Sequence, residues 1–144
     1  MISTMQRRLL PLILVCAAGA PVAAQVPDSL VGCYDLTITG KLPFPLPPNR
    51  IRLLPDLGRR AFERGQWLIR AVPDSSKRPY PFSYWYTVGN TLWLVWTGGE
   101  AATEVRVTLG PTPMRGTATQ GTDAIGDQPD PHGPALLRRI SCPS

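Results

Sequence analysis

The chain has 144 residues and a formal net charge of +5; 17% of its residues are charged and 43% are hydrophobic. A chain of this length accommodates one ordinary globular domain. The charged fraction is too low for a coiled coil and the hydrophobic fraction too high for a disordered chain, so a packed domain is expected.

The first residues have the pattern of a secretory signal peptide. Arg7-Arg8 precedes 12 mostly apolar residues, 9–20, and Val22-Ala23-Ala24 supplies small residues before a cleavage site after Ala24. A membrane-spanning helix needs roughly 20 apolar residues, so a transmembrane anchor is not expected. The sequence therefore predicts a signal peptide over 1–24, a single domain over 25–144, and export to the periplasm or the cell exterior. The alanine-rich cleavage site and the arginine usage favour a bacterial source.

The charge distribution does not favour a nucleic-acid partner. Removal of residues 1–24 leaves 13 basic and 10 acidic residues, a net charge of +3. The basic pairs Arg59-Arg60, Lys77-Arg78 and Arg138-Arg139 are scattered and have no interleaved aromatic residues. We interpret these pairs as solvent-exposed charges in loops.

The cysteines predict a disulfide. Cys16 leaves with the signal peptide, so the exported domain keeps Cys33 and Cys142. Two cysteines in an exported chain favour one bridge, which would place the first and last elements side by side. A redox pair or thiol nucleophile would require a C-x-x-C spacing or a neighbouring base, and neither is present.

The pattern of the remaining residues predicts short strands separated by turn residues. In residues 31–39, for example, Tyr34, Leu36 and Ile38 alternate with polar residues, as in a half-buried strand. No window predicts a helix. Strands are expected at 31–39, 50–54, 66–72, 82–88, 91–97, 102–109, 113–120 and 135–141.

The connections favour a closed antiparallel sheet. Gly89-Asn90 and Gly98-Gly99 have the composition of two-residue hairpin turns, so neighbouring strands run antiparallel. Two longer connections are expected: a proline-rich arm over 41–49 and an irregular loop over 121–134. Because closure removes exposed sheet edges, eight such strands with joined ends predict an up-and-down β-barrel.

Gly32-Cys33-Tyr34 lies in the first predicted strand, and the proline-rich arm over 41–49 follows that strand. In these features and in its predicted barrel the chain resembles the lipocalins and the wider calycin group, which carry G-x-W in the first strand and a large mouth-covering loop after it. Arg138 or Arg139 matches their closing arginine, and Thr122-Asp123 falls near an expected T-D pair. The resemblance implies an exported all-β barrel of eight strands that carries a small apolar ligand.

Hairpin register assigns side chains to the two faces. A two-residue turn at Gly89-Asn90 places Trp85 opposite Leu94, and one at Gly98-Gly99 places Leu92 opposite Val105. The face that carries Glu104 and Arg106 must point outward. A second turn longer by one residue would reverse the assignment. The predicted interior, and hence the candidate ligand site, comprises Tyr34, Leu36, Ile38, Leu92, Leu94, Trp96, Val105 and Val107.

The opposite face carries an aromatic strip made of Tyr84, Tyr86 and Trp93, which is expected to be exposed beside Glu104 and Arg106. Stacking on sugar rings, docking of a protein partner and packing under the proline-rich arm are all compatible with it. The interior has alternatives too, because side chains alone can fill an eight-stranded barrel.

Two functional hypotheses follow. The first is non-catalytic binding of a small apolar or amphipathic ligand in the barrel. The second is a structural or interaction module of the cell envelope, with a filled barrel and the aromatic strip as the contact surface for a protein or glycan.

Catalysis and metal binding have little support in the sequence. His132 is the single histidine, and no motif links it to a nucleophile. Asp123, Asp127, Asp130 and His132 could surround a cation, but their spacing matches no established metal-binding loop. We therefore predict no catalytic residue, no metal and no cofactor.

Overall fold

A computed structural model of the chain describes residues 27–57, 65–73, 80–98, 100–122 and 130–144. The predicted signal peptide, the pairs Arg59-Arg60 and Lys77-Arg78, and Asp123 and Asp127 lie outside these residues.

The described residues form a closed barrel in which each strand pairs antiparallel with its neighbours in chain order, and β1 pairs with β8. The predicted all-β, up-and-down barrel is confirmed. A short 3-10 helix, Asp28–Leu30, precedes the strands. The strands are β1 Gly32–Ile38, β2 Arg50–Leu57, β3 Trp67–Ala71, β4 Phe82–Val88, β5 Thr91–Thr97, β6 Ala101–Thr108, β7 Met114–Thr122 and β8 His132–Ile140.

In this up-and-down order, successive strands meet alternately at the two ends of the barrel. The odd-numbered strands end, and the even-numbered strands begin, at one end, which we call the mouth. The 3-10 helix, the first residues of the odd-numbered strands and the last residues of the even-numbered strands lie at the other end, which we call the base. The proline-rich arm, residues 41–49, belongs to the mouth.

The predicted disulfide is confirmed. Cys33 in β1 is bonded to Cys142, just beyond β8, and the two Cα atoms are 5.1 Å apart. Disulfides persist in oxidising compartments and are rare in the cytosol, so this bond indicates a non-cytoplasmic protein.

The first hairpin agrees with the predicted register, with Trp85 opposite Leu94. Gly89 has φ +56°, and no described residue other than glycine has a positive φ, as expected for a primed turn with glycine first.

The second hairpin differs from its prediction. Thr97 pairs with Ala102, and the Gly98 amide donates to the Ala101 carbonyl at 3.0 Å, so the turn is centred one residue later than predicted. Leu92 therefore lies opposite Val107, not Val105. Because this shift is an even number of residues, every side chain keeps its predicted face.

The loop expected over 121–134 is shorter than predicted. Strand β7 continues to Thr122 and β8 begins at His132, because the ladders extend to Ala101 opposite Thr122 and to Thr119 opposite His132. Pro134 lies within β8, and its carbonyl accepts a hydrogen bond from the Thr39 amide at 3.0 Å.

The barrel interior is filled by large side chains from all eight strands. Trp67 and Trp85 pack together with ring centres 4.9 Å apart. The register of β2 shifts between Leu53 and Leu57, and in this interval the Leu54 carbonyl accepts a hydrogen bond from the Trp85 indole N–H at 3.0 Å. The bulge thus satisfies a polar atom within the apolar core.

Candidate functional site

The arm lies over the mouth of the barrel. Two side chains, Tyr80 and Gln120, hold it there by hydrogen bonds to its backbone. The Phe44 amide donates to Oε1 of Gln120 at 2.8 Å, and Nε2 of Gln120 donates to the carbonyls of Phe44 at 3.2 Å and Pro45 at 3.5 Å. The Tyr80 hydroxyl donates to the Pro45 carbonyl at 2.6 Å. The arm is therefore anchored at two successive residues.

These anchors belong to one buried polar network. Gln120 and Thr103 are fully buried, and Tyr80 is 7% exposed. Nε2 of Gln120 donates to Oγ1 of Thr103 at 3.0 Å, and the same oxygen lies 3.0 Å from the Tyr80 hydroxyl. Because Tyr80 has one hydroxyl proton and gives it to Pro45, the Thr103 hydroxyl donates to Tyr80. Each side-chain polar group of the network then has a partner, as buried polar groups require.

A pocket of about 290 Å³ opens beside this network, between the arm and the β5–β6 connection. This volume is just below the range typical of small-molecule sites, about 300–1,000 Å³. We call it the mouth pocket. The residues that line it are Phe44, Pro45, Tyr80, Gly98, Glu100 and Ala101.

The predicted interior residues lie deeper in the barrel. Seven of the eight are buried, and Ile38 is partly buried and packs against the same core. They share this space with Trp67 and Trp85, so side chains occupy the volume around them. None of the eight lines the mouth pocket. The structure thus brings these residues together as core and places the pocket above them.

The base of the barrel is closed by Arg139, one of the two arginines singled out in the sequence. Its guanidinium donates to the carbonyls of Ser29 and of Val31, the latter at 2.8 Å, and lies 5.6 Å from the ring centre of Tyr34. Gly32 has φ +149°, and a side chain there would meet Arg139 at 3.0 Å. Burial raises the pKa of the Tyr34 phenol, and the positive charge of Arg139 partly offsets this.

The aromatic strip is half-buried, whereas the sequence led us to expect exposure. Tyr84 and Tyr86 stack with ring centres 6.2 Å apart, and Tyr86 and Trp93 stack at 5.5 Å. The guanidinium of Arg106 lies 4.0 Å from the centre of the Trp93 ring and is bonded to Glu104 at 2.8 Å. Tyr86 and Arg106 approach Trp93 from strands on opposite sides, so both faces of its ring are covered. The hydrogen bonds of Phe44 and Pro45 in the arm go to Tyr80 and Gln120, not to this strip.

The acidic loop that could have held a cation is only partly described. His132 is exposed at the start of β8, and its Nδ1 lies 3.3 Å from the Asp130 carbonyl. Within the described ranges, no group of three or more His, Cys, Asp or Glu side chains is arranged to hold a metal ion.

Several residues of the mouth were missed by the sequence analysis. Phe44, Tyr80 and Glu100 lie outside the predicted strands, and only the fold brings them together around the mouth pocket. Thr103 and Gln120 could have been singled out from the sequence, because each is a polar residue at an inward position of its strand. The two are also direct cross-strand partners.

Comparison of the chain with protein-family models, with curated proteins and with solved structures gave no match. Among the described residues, no helix is long and apolar enough to cross a membrane.

Proposed function

We propose that this chain is an exported, lipocalin-like binding protein, of bacterial origin, that holds a small, mostly apolar ligand in the mouth pocket and catalyses no reaction on it. Export to the periplasm or the cell exterior is supported by the signal-peptide pattern of residues 1–24 and by the disulfide.

The mouth pocket carries this proposal. Its walls combine an aromatic ring from the arm, Phe44, with one from the barrel, Tyr80. The Tyr80 hydroxyl and the backbone of Phe44 are already engaged in the polar network, so these residues offer mainly apolar surface to a ligand. Concave sites of this composition are typical of small-molecule binding.

The experiment is a titration of the oxidised, ¹⁵N-labelled protein with 2-phenylethanol, a neutral single-ring probe, followed by NMR. We expect saturable shifts of the amide signals of Tyr80, Gly98 and Ala101. Ala101→Phe should fill the pocket and abolish them. Saturable shifts confined to the base, or binding unchanged in Ala101→Phe, would overturn the proposal.

Ala102→Phe is the matched control. Ala102 is the next residue of β6 and, by strand alternation, points to the other face of the sheet. Its variant adds the same ring at nearly the same place but leaves the pocket open, so probe binding should persist. Native mass spectrometry of protein purified without denaturation adds an independent readout: a bound mass that organic extraction removes should be present in Ala102→Phe and absent from Ala101→Phe.

The alternative function, an envelope structural or interaction module, rests on the aromatic strip. A contact surface of this kind needs accessible ring faces, for stacking on sugars or for packing against a protein. Because Tyr86 and Arg106 cover both faces of Trp93, a partner could reach mainly the edge of that ring. The geometry therefore gives the pocket more support than the strip.

Replacement of Trp93 and Tyr84 by Ser separates the two functions. Loss of capture of an envelope protein or glycan, at unchanged melting temperature and with 2-phenylethanol binding retained, would favour the alternative. A fall in melting temperature would show that the strip stabilises the fold.

A further inference from the structure

The charge on the described lining of the mouth pocket is negative. Glu100 is the charged residue among the six described residues that line it, and none of the six is basic. Asp35 and Glu104, elsewhere on the barrel, are each paired with an arginine, at 3.2 and 2.8 Å. Glu100 has no ion pair with any described residue and is exposed. Its carboxylate is thus available to a ligand.

The aromatic walls favour the same sign of charge in a ligand. The face of a phenyl or phenol ring carries negative electrostatic potential and attracts cations, ammonium groups in particular. Phe44 and Tyr80 line the pocket together with Glu100, so a cation would be attracted both by the rings and by the carboxylate.

We infer that the mouth pocket selects ligands that combine a small apolar body with a protonated amine; this rests on the proposed function of the same pocket. The apolar body would lie against Phe44, Pro45 and Ala101, and the ammonium group would lie toward Glu100. The small volume favours a single ring or a short chain over a lipid.

The net positive charge of the protein does not oppose this selection strongly. Interactions between exposed charges are largely screened beyond about 10 Å at 0.1 M salt. The groups that line the pocket therefore determine its preference.

The test compares 2-phenylethylamine, which is protonated at neutral pH, with 2-phenylethanol, which has the same ring and chain but a neutral hydroxyl. Dissociation constants are measured by NMR titration for the full oxidised protein and for Glu100→Gln. We expect the amine to bind about tenfold more tightly to the wild type. Glu100→Gln should reduce this preference to about twofold or less, mostly by weakening amine binding.

Glu104→Gln is the matched control, because it also removes one carboxylate from the β5–β6 region but from the outer face of the barrel. Its amine preference should equal that of the wild type. Glu100 is exposed, so the fold should tolerate both variants, which their circular dichroism spectra would verify.

The outcomes separate the inference from the function on which it rests. If both probes bind the wild type equally, or if Glu100→Gln keeps the tenfold preference, the inference is wrong and the binding function stands. An equal loss of preference in Glu100→Gln and Glu104→Gln would also overturn it, since a general charge effect would then be responsible. If neither probe binds, the proposed function fails and the inference fails with it.

Discussion

The guanidinium carbon of Arg139 lies 5.6 Å from the ring centre of Tyr34, and both residues lie where the last strand meets the first at the base of the barrel. The same pair of strands is joined covalently through Cys33 and Cys142. Arg139 also holds the carbonyls of Ser29 and Val31, so the segment that enters the barrel is attached to the strand that completes it. Arg139 thus attaches the N-terminal segment to β8 at the seam that the β1–β8 ladder and the disulfide already close.

Arg139→Met should lower the free energy of unfolding by about 1–2 kcal/mol, because it removes two charge-assisted hydrogen bonds to carbonyls that water can then partly solvate. Urea unfolding of the oxidised protein measures this change. Arg138→Met is the control, since Arg138 is also exposed but its side chain makes no hydrogen bond to a described residue, and the change there should cost less than about 0.5 kcal/mol. Equal effects of the two substitutions would show that Arg139 has no special role in closure.

Tyr34 predicts a loss of stability at alkaline pH. Its buried phenol has a pKa above the usual value of about 10, so the folded protein holds this proton more tightly than the unfolded chain does. The resulting stabilisation is fully present below about pH 10 and is lost as the pH rises through the folded-state pKa. Tyr34→Phe cannot titrate, so the difference in unfolding free energy between it and the wild type should shrink above about pH 10.

Measurements at about pH 8 give the baseline for this comparison, because the phenol is neutral there in both states. The difference at that pH reports the two hydrogen bonds of the Tyr34 hydroxyl, which donates to the Leu30 carbonyl at 2.8 Å and accepts from Nη1 of Arg139 at 3.4 Å. A difference between the two proteins that stays constant from about pH 8 to 11 would contradict the prediction.

The barrel could be predicted from the sequence because its determinants are local. The alternation of Leu92, Leu94 and Trp96 with outward residues, and the turn at Gly89, depend on near neighbours only. The second hairpin turn was placed one residue too early, since the composition of Gly98-Gly99 is compatible with either position. The assignment of side chains to the inner and outer faces was still correct, because the register moved by two residues, which is an even number.

The mouth pocket could not be predicted in this way. Its position depends on the hydrogen bonds between Phe44 and Gln120, which are 76 residues apart in the chain. Proline composition indicates an extended arm over 41–49, but not which side chains will hold it. The inward polar pair Thr103 and Gln120 was the signal that could have located the mouth, because buried polar groups need partners.

Loss of the disulfide should cost more than any single contact. The bond joins positions separated by 109 residues, for which the chain-entropy model gives about 4–5 kcal/mol of stabilisation. The double variant Cys33→Ala, Cys142→Ala removes the bond without burying a hydroxyl at Cys33. Its urea midpoint should fall steeply relative to that of the oxidised wild type. A loss below about 1 kcal/mol would mean that the barrel is held together by its strand pairing alone.

The aromatic strip should contribute to stability through its stacking. In a double-mutant cycle, Trp93→Leu and Arg106→Met should show a coupling energy of about 0.5–1 kcal/mol, as expected for a guanidinium over an indole ring. The pair Trp93→Leu and Arg52→Met is the control and should be additive, because Arg52 lies in β2 and pairs with β1 and β3. Additivity in the first cycle would show that the ring and the guanidinium are adjacent without stabilising each other.

Gln120 should govern whether the arm stays over the mouth. Gln120→Leu keeps a similar volume but removes the acceptor of the Phe44 amide and the donor to the arm carbonyls, so hydrogen exchange at Phe44 should accelerate by at least about tenfold. Thr103→Val is the control, because it removes a hydroxyl from the network and leaves the bonds between Gln120 and Phe44 in place.

Probe binding should weaken with Gln120→Leu, since the arm supplies Phe44 and Pro45 to the pocket. Wild-type exchange at Phe44 in Gln120→Leu would instead mean that contacts other than this network hold the arm in place.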